Sequence, residues 1–574
     1  MNPTQPRDNR ATAADSVPVT LPAWHARWYG RLLLLIASVL LLTLAFAPFE
    51  QFYLAWVGLV PWLWIVAGVK SKRAAFLWSW LGGILFFSAN MWWIARISAI
   101  GAVGLMIYLG LFWALVGMII RGTRLLELGI RGPWERGVSG VLLIATIWVV
   151  SEYIRGTFLT GLPWLFLGHT QSPFLASCQI ADVLGVYGVT FWVVTVNVLL
   201  VLFLQHRPRA FSLIPATTMV VFIVGATVCY GFYRRVQTER TTSPGPLVAV
   251  IQPNYPQNNH GDKSGDPLEQ LQFHEDETAR AINAVGKVDV VAWTETMMPA
   301  VNSYYRAIVR EIDPKRGALN DTIYDHLTAL TTRYNTHLIT GSLFYDRMKV
   351  AADGYVTFAD RRNCAYLIEP GVNPSELPHY DKVHLVPFGE FLPFKESVPW
   401  LHDLFMKLGP YNFDYTLTRG DAASPTIFAI RCAGLANPVR FVTPICYEDV
   451  DASLCAQLIN GSGKRADVLI NLTNDGWFAG SENAQHVQMA QFRSIENRVP
   501  TARSVNTGIS CFIDSYGRVV KALPARAAGS LTMQMTLDSR QTFYGRHGDW
   551  FVVLCMIAVT GIMAHAVIRR KAIR

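Results

Sequence analysis

Long, nearly unbroken apolar runs fill the first part of the chain, and short apolar runs separated by polar stretches fill most of the rest. The long runs fall at about 32–47, 54–69, 75–95, 101–120, 138–154, 182–204 and 211–232, and one more closes the chain at about 550–568. Each is close to the ~20 residues that cross the hydrocarbon core of a bilayer, so the pattern predicts an eight-helix transmembrane bundle. Ala45-Phe46-Ala47 resembles a small-residue cleavage site, which leaves a cleaved signal peptide as the alternative for the first run. The apolar runs that follow at once favour an anchor.

Basic residues sort to one side of these runs. Lys70, Lys72 and Arg73 lie between the second and third, Arg121, Arg124, Arg131 and Arg136 between the fourth and fifth, and Arg207 and Arg209 between the sixth and seventh. Arg569, Arg570, Lys571 and Arg574 follow the last, whereas the opposite short loops carry little beyond Arg96 and Arg155. Lysine and arginine are retained on the cytoplasmic face, so the segment 233–548 is predicted to lie outside.

Within that segment the period changes. β-rich runs at about 247–251, 288–293, 337–340, 365–368, 441–445, 468–472, 501–504, 510–513 and 531–535 alternate with helix-compatible stretches such as 268–284 and 483–497. This alternation predicts one α/β domain with layered sheets. The expected organisation is a cytoplasmic tail (1–30), seven helices (31–232), an external α/β domain (233–548) and a last helix with a cytoplasmic tail (549–574).

Composition agrees with a mixed architecture. Of 574 residues, 51% are hydrophobic and 16% charged, and the mean hydropathy is +0.26. That is too apolar for an ordinary soluble protein and too polar for a pure transporter. The net charge of +9 comes largely from basic runs beside apolar segments, so no nucleic-acid partner is expected. The eight cysteines show neither paired spacing nor metal-ligand spacing with histidine, and no metal or cofactor is expected. Cys432 and Cys455 could pair if the domain lies outside the cytoplasm.

Three stretches of the α/β segment end an apolar run on a reactive side chain. Residues 290–295 end at Glu295, residues 380–390 present Lys382 and Glu390, and Phe441-Val442-Thr443-Pro444-Ile445 leads to Cys446, Tyr447, Glu448 and Asp449. A cysteine at a strand end is more often a small buried residue than a nucleophile. A nucleophilic cysteine needs a base to become thiolate and a cation or donor for the oxyanion, and Glu295 and Lys382 are of the right kinds. Spacing alone does not bring them together.

The motifs Trp293-Thr294-Glu295-Thr296, Lys382 with His384-Leu385-Val386-Pro387-Phe388-Gly389-Glu390, and Ile445-Cys446-Tyr447-Glu448, in this order, resemble those of the nitrilase (carbon–nitrogen hydrolase) superfamily. With the membrane segments around them, roughly residues 30–570 resemble the apolipoprotein N-acyltransferase family. Glu152-Tyr153-Ile154-Arg155-Gly156, Gly161-Leu162-Pro163-Trp164, Asn471-Leu472-Thr473-Asn474-Asp475-Gly476-Trp477-Phe478 and Gln485-His486 carry that wider likeness. One departure is visible: Gln252-Pro253-Asn254-Tyr255-Pro256-Gln257 is followed by 258–263 without the tryptophan that many members have there.

The resemblance implies an αββα sandwich with a Glu295–Lys382–Cys446 triad. It implies acyl transfer from the sn-1 position of a membrane phospholipid, through a cysteine thioester, to the N-terminal amine of a diacylglyceryl apolipoprotein. The setting would be a bacterial inner membrane with the catalytic domain facing the periplasm. Glu295 would be the base and Lys382 the oxyanion partner; Glu390 would orient Lys382, and Tyr447 and Glu448 would form the wall behind the thiol. The runner-up is a membrane-anchored nitrilase-type amidase, which passes the acyl group to water; an inactive lipoprotein-binding scaffold is disfavoured because all three triad residues are present.

Residues 391–415, with Phe394, Trp400, Leu404 and Phe405, are unusually aromatic for a surface insertion and are expected to form a lid that contacts lipid. His384 and His486 are expected to be hydrogen-bonded packing residues rather than bases. Glu152 and Arg155 are expected either to pair with each other or to border a lipid path. Asn471-Leu472-Thr473 matches a glycosylation sequon but falls on an expected buried strand.

Overall fold

The computed structural model describes residues 25, 27–128, 134–205, 213–257, 266–350, 356–408, 415–461, 463–478 and 480–573. Arg131, Arg207, Arg209 and the 258–263 departure lie outside the described residues.

The apolar runs are helical, the conformation in which a backbone in an apolar medium satisfies its own N–H and C=O groups. Among the described residues, five helices are long and apolar enough to cross a membrane: Trp28–Ala45, Ala99–Thr123, Val138–Thr157, Val186–Gln205 and Ile214–Thr241. The three other expected spans are helical but less clear-cut. The second breaks into Phe52–Leu54, Ala55–Gly58 and Val60–Gly68, the last of these opening with Pro61, which has no N–H to continue a preceding turn. The third forms Lys72–Asn90, whose first turn carries Lys72 and Arg73. The eighth forms Trp550–Ile573, within which Trp550–Gly561 is a shorter apolar helix among the residues whose side chains are described.

These helices share a core in which Trp62, Trp113 and Trp148 meet at centroid separations of 5.3–5.6 Å. Lys72–Asn90 and Ala99–Thr123 pack backbone to backbone: a Cβ on Gly83 would lie 2.8 Å from the Gly110 Cα. Small residues are what allow such an approach.

Among the described residues, the remaining chain forms twelve strands: β1 (Ser243–Gln252), β2 (Val290–Ala292), β3 (His337–Val350), β4 (Val356–Ile368), β5 (His379–Asp381), β6 (Phe428–Ile430), β7 (Val439–Val442), β8 (Val468–Thr473), β9 (Thr501–Val505), β10 (Cys511–Ile513), β11 (Val519–Ala522) and β12 (Gly529–Leu537). They make two six-stranded sheets, ordered β12-β1-β2-β3-β4-β5 and β11-β10-β9-β8-β7-β6. Alternation along the strands sorts the two faces. Val248, Val250, Val290 and Ala292 join Phe441, Val468, Ile470 and Leu472 between the sheets. Ala249, Ile251, Val291 and Trp293 face the other way, where Trp293 Nε1 donates to Thr278 Oγ1 of the Pro267–Val285 helix at 3.0 Å. Ala490 of the Glu482–Asn497 helix packs with Cys511 and Ile513 on the outer face of the second sheet. The result is the expected αββα layering.

Every expected strand is present, with shifted ends. The chain above 440 leaves β7 at Val442, and Ile445 makes only an isolated bridge to Leu472. β3 and β4 run far beyond 337–340 and 365–368, pairing out to Val350↔Val356. Cys432 and Cys455, a possible pair by sequence, are both free; their thiols lie against the carbonyls of Ile430 (3.6 Å) and Glu448 (3.5 Å).

The apolar helices and the sandwich are joined through buried polar contacts. Asp182, just before Val186–Gln205, receives Arg498 (2.7 Å) and Arg234 (2.7 Å), and the Asp182 and Arg498 side chains are wholly buried. Arg498 also donates to Gln179 Oε1 (2.7 Å) and to the Ser515 carbonyl (3.0 Å). Replacing Asp182 by alanine leaves a buried guanidinium unpaired, which costs about 3–5 kcal/mol. Thermal unfolding in detergent micelles checks this: the midpoint drops well below that of the parent protein.

Candidate active site

Glu295, Lys382 and Cys446 converge, each set just past a strand end. Glu295 follows β2, where Trp293 N–H still donates to the Ile339 carbonyl at 2.9 Å. Lys382 follows β5, and its N–H donates to the Asn363 carbonyl at 2.8 Å. Cys446 opens the turn Cys446–Val450 with φ +51°. A left-handed backbone is unfavourable for a non-glycine residue and persists only where the surroundings hold it. Here Glu448 and Asn471 hold it.

Glu448 accepts from the N–H groups of Ile445 (2.7 Å), Val383 (2.6 Å) and His384 (2.9 Å) and from the Tyr380 hydroxyl (3.0 Å). It thereby ties the cysteine turn to the lysine segment. Burial pushes its carboxyl up to about 7, against the three backbone donors and Lys382. Asn471 Nδ2 donates to the carbonyls of Pro444 (3.1 Å) and Cys446 (3.2 Å), so the sequon asparagine is a buried structural residue.

Lys382 Nζ donates to Glu295 Oε1 (3.1 Å) and Glu390 Oε1 (2.8 Å). Burial alone would lower its proton affinity, but the two carboxylates hold the ammonium well above the ordinary lysine range. Glu390 is anchored in turn by the Val386 N–H at 2.8 Å. The second oxygen of Glu295 accepts the Asn474 N–H at 3.0 Å. Burial, and next the charge of Glu295, push the Cys446 thiol well above its usual value, with Lys382 opposing. The resting group is therefore a thiol, and it needs a nearby base to become a nucleophile.

Several contributors were not legible in sequence. Asn363 Nδ2 donates to both Glu295 (2.8 Å) and Glu390 (2.9 Å); it lies one residue beyond the paired Cys364 and Asp381, on a part of β4 longer than expected. Gly341 is a second. A Cβ there would sit 2.6 Å from both the Glu295 Cα and the Thr296 N, so the backbone bearing Glu295 fits only over glycine. Gly341→Ala is expected to shift Glu295 and slow Cys446 acylation about 10²-fold with the fold retained, as read by acylation kinetics beside a far-UV circular dichroism spectrum.

The remaining candidates are placed as follows. Tyr447 reaches across to the Gly161 carbonyl (3.4 Å) and, with Phe478, packs on the cluster of membrane-type helices. The lid region forms a helix, Pro399–Leu408, with Trp400 69% and Leu404 43% exposed. Phe405 packs on Phe388 (5.2 Å) and Phe394 (6.2 Å) instead, and residues 409–414 lie outside the described residues. His384 Nδ1 lies 3.1 Å from Asp451 Oδ2.

Glu152 and Arg155 do not pair with each other. Glu152 accepts from Trp148, Leu167 N and Thr190, while Arg155 donates to the Leu162 and Trp164 carbonyls. Both line an apolar cavity walled by Phe86, Phe87, Trp113 and Trp148. Among the described residues, two clusters of acidic side chains with a cysteine or histidine that linear spacing did not reveal also come together, Cys364, His379 and Asp381, and Asp475, Glu482 and His486. In the first, Arg362 already holds Asp381 at 2.7 Å.

Residues 247–544, more than half of the chain, match the carbon–nitrogen hydrolase family, and residues 38–199 match the apolipoprotein N-acyltransferase N-terminal domain. The chain belongs to the carbon–nitrogen hydrolase family. The relatives it resembles along nearly its whole length are apolipoprotein N-acyltransferases. That of Geobacter metallireducens is 29% identical over 557 residues, covering 94% of this chain and 96% of the relative. That of Chlorobaculum tepidum is 29% identical, covering 93% and 96%, and that of Haemophilus ducreyi 28%, covering 89% and 91%. Among solved structures, an amidase of the nitrilase superfamily from Nesterenkonia is 15% identical, with 51% of this chain and 91% of that chain covered and a TM-score of 0.34. A carbon–nitrogen hydrolase from Helicobacter pylori is 14% identical, covering 54% and 94%, with a TM-score of 0.33.

Proposed function

We propose that this chain is a membrane-embedded bacterial enzyme that N-acylates apolipoproteins, with a phospholipid as acyl donor. The observation that carries the reading is a buried lysine held between Glu295 and Glu390 at the left-handed Cys446 turn, in a chain that carries both family domains. In the first half-reaction Glu295 takes the thiol proton and the Cys446 sulfur attacks the sn-1 ester carbonyl. Lys382 offsets the oxyanion, a term worth ~10²–10³ in rate for one donor. The ester C–O bond breaks, Glu295 returns the proton to the leaving alkoxide, and a lysophospholipid departs from the acyl thioester.

In the second half-reaction the α-amine of a diacylglyceryl cysteine attacks the thioester. Glu295 accepts a proton from the amine and the thiol is restored. Both substrates are lipids, and the contact of Tyr447 and Phe478 with the apolar helices supports a thiol close to where lipid would enter. The cavity beside Arg155 would lie along that route, and exposed Trp400 and Leu404 would dip into the bilayer as the lid. We assign the apolar helices eight crossings, four domains with boundaries near 30, 232 and 548, and a catalytic domain on the periplasmic side of the inner membrane.

The test is a chase in detergent. Phospholipid alone should leave an acyl adduct on Cys446, detected by intact mass, and a diacylglyceryl peptide with a free N-terminus should then remove it and gain the acyl mass. Acyl chains released only as free fatty acid would identify a membrane-anchored amidase instead.

A further inference from the structure

Behind the Cys446 turn, His486 joins two segments that the triad depends on. From the Glu482–Asn497 helix its Nε2 lies 2.6 Å from Asp449 Oδ1, and its Nδ1 lies 3.6 Å from Asp475 Oδ1 and 4.0 Å from Glu482 Oε1. These four side chains are at most 3% exposed. Arg503 of β9 pairs with the other oxygen of Asp449, and the uncharged Trp164 ring packs on the imidazole at 5.6 Å. Asp449 belongs to the turn that Cys446 opens. Asp475 directly follows Asn474, whose N–H holds Glu295 Oε2 at 3.0 Å.

We propose that His486 is a positioning residue of the acyl-transfer site: as an imidazolium it ties the Cys446 turn to the Asn474 segment and so keeps Glu295 aimed at the thiol. The inference rests on the acyl-transfer reading above.

The surrounding charges require that form. Asp449 and Asp475 as carboxylates bring two negative charges, and Arg503 brings one positive. Burial, and then the adjoining Asp475, hold the Glu482 carboxyl well above the usual range, which favours its neutral form. Arg493 also acts on Asp449 but is itself paired with Glu496 at 2.9 Å. With Glu482 neutral, protonated His486 balances Asp449 and Asp475 against Arg503, whereas a neutral imidazole leaves one negative charge of this group unmatched in a buried site. Asp475 is one of the charges that push the Cys446 thiol up, so leaving it unopposed also disfavours the thiolate. Burial and the Arg503 charge work against the imidazolium, but Asp449 and Asp475 together outweigh them and raise the proton affinity of His486 above the ordinary imidazole value. As pH rises through that raised value the proton is lost, and acylation falls. Ionisation of the thiol alone would make the rate climb, so the two effects have opposite signs.

The experiment uses the full chain in detergent and two readouts across about pH 6 to 10. One is Cys446 acylation from mixed micelles containing a phosphatidylethanolamine, and the other is alkylation of Cys446 by iodoacetamide, both followed by intact mass. The parent protein should lose acylation rate on the alkaline side and show an inflection in alkylation. His486→Gln, which can still donate to Asp449, should acylate at least about tenfold more slowly and lose both features. Asp475→Asn removes one negative charge and should move the alkaline limb down by about one pH unit. Should His486→Gln fail to fold, Asp475→Asn still decides. The proposal is overturned if His486→Gln keeps the parent rate, or if the limb stays where it is in Asp475→Asn. If the parent forms no thioester but its alkylation inflection moves with Asp475→Asn, the acyl-transfer reading fails and the placement of His486 stands.

Discussion

Cys446→Ala is expected to form no acyl adduct with phospholipid and to reduce transfer to a diacylglyceryl peptide by at least about 10⁴-fold, the scale on which removing a covalent nucleophile acts. Nothing nearby can replace it. The thiol is the only group of the cluster able to form a thioester, and Cys455, the next cysteine along the chain, is wholly buried with its sulfur against the Glu448 carbonyl. Alanine also fits the site, since it removes only the sulfur and Glu448 still holds the turn through Ile445 N. The readouts are intact mass after incubation with phospholipid and acyl transfer to peptide. An adduct surviving in the alanine variant would exclude Cys446 as the acyl carrier.

Lys382→Ala is expected to be nearly as damaging and to act in two ways. It removes the cation placed to offset the oxyanion, which lowers Cys446 acylation by ~10²–10³-fold or more. It also leaves Glu295 and Glu390 facing each other across Asn363 with no ammonium between them. Removing one partner of a buried ion pair costs about 3–5 kcal/mol, so the unfolding midpoint drops as well. The stability deficit has a sign with pH. Two apposed carboxylates raise each other's proton affinity in the folded state, so the folded variant binds more protons than the unfolded chain, and its stability falls as pH rises. Unfolding measured on both sides of neutrality should therefore show a smaller deficit at acidic pH. An equal deficit throughout would mean that the two carboxylates do not feel one another.

How much of this was readable from the chain depended on where each element lies. Interior strands such as β1 and β8 are bounded by neighbours on both sides and buried on both faces, and their apolar runs announce them. The three strands without a clear signal, β5, β6 and β11, are all sheet edges. An edge strand is short and half-paired, and β11 shows the consequence in being mostly exposed. The far end of the β3–β4 ribbon shows no clear apolar alternation along the chain, because Asp346, Arg361 and Arg362 interrupt it and Tyr345 and Phe358 pack only on a small cluster of Ala300, Tyr305 and Val309. Among the membrane segments, the runs at 54–69 and 75–95 looked like simple spans because apolarity and length were the only guides. Pro61 and the paired Lys72 and Arg73 decide their shape.

The order of the apolar helices and the α/β part, and the residue types of the three candidate site residues, could be read along the chain, because apolar periodicity and a short run ending in a reactive group are local properties. The sequence also carried the family likeness that the comparisons bear out. How Glu295, Lys382 and Cys446 are held depends instead on the folded arrangement. Glu295 and Lys382 are 87 residues apart, and Asn474 meets Glu295 across 179. Contacts at such separations arise from the stacking of two sheets, which no window along the chain contains. The same holds for His486. In sequence it reads as one more buried histidine; between Asp449 and Asp475, with Arg503 beside it, its charge becomes part of the site, because in a buried enclosure each carboxylate must be met by a cation or a proton.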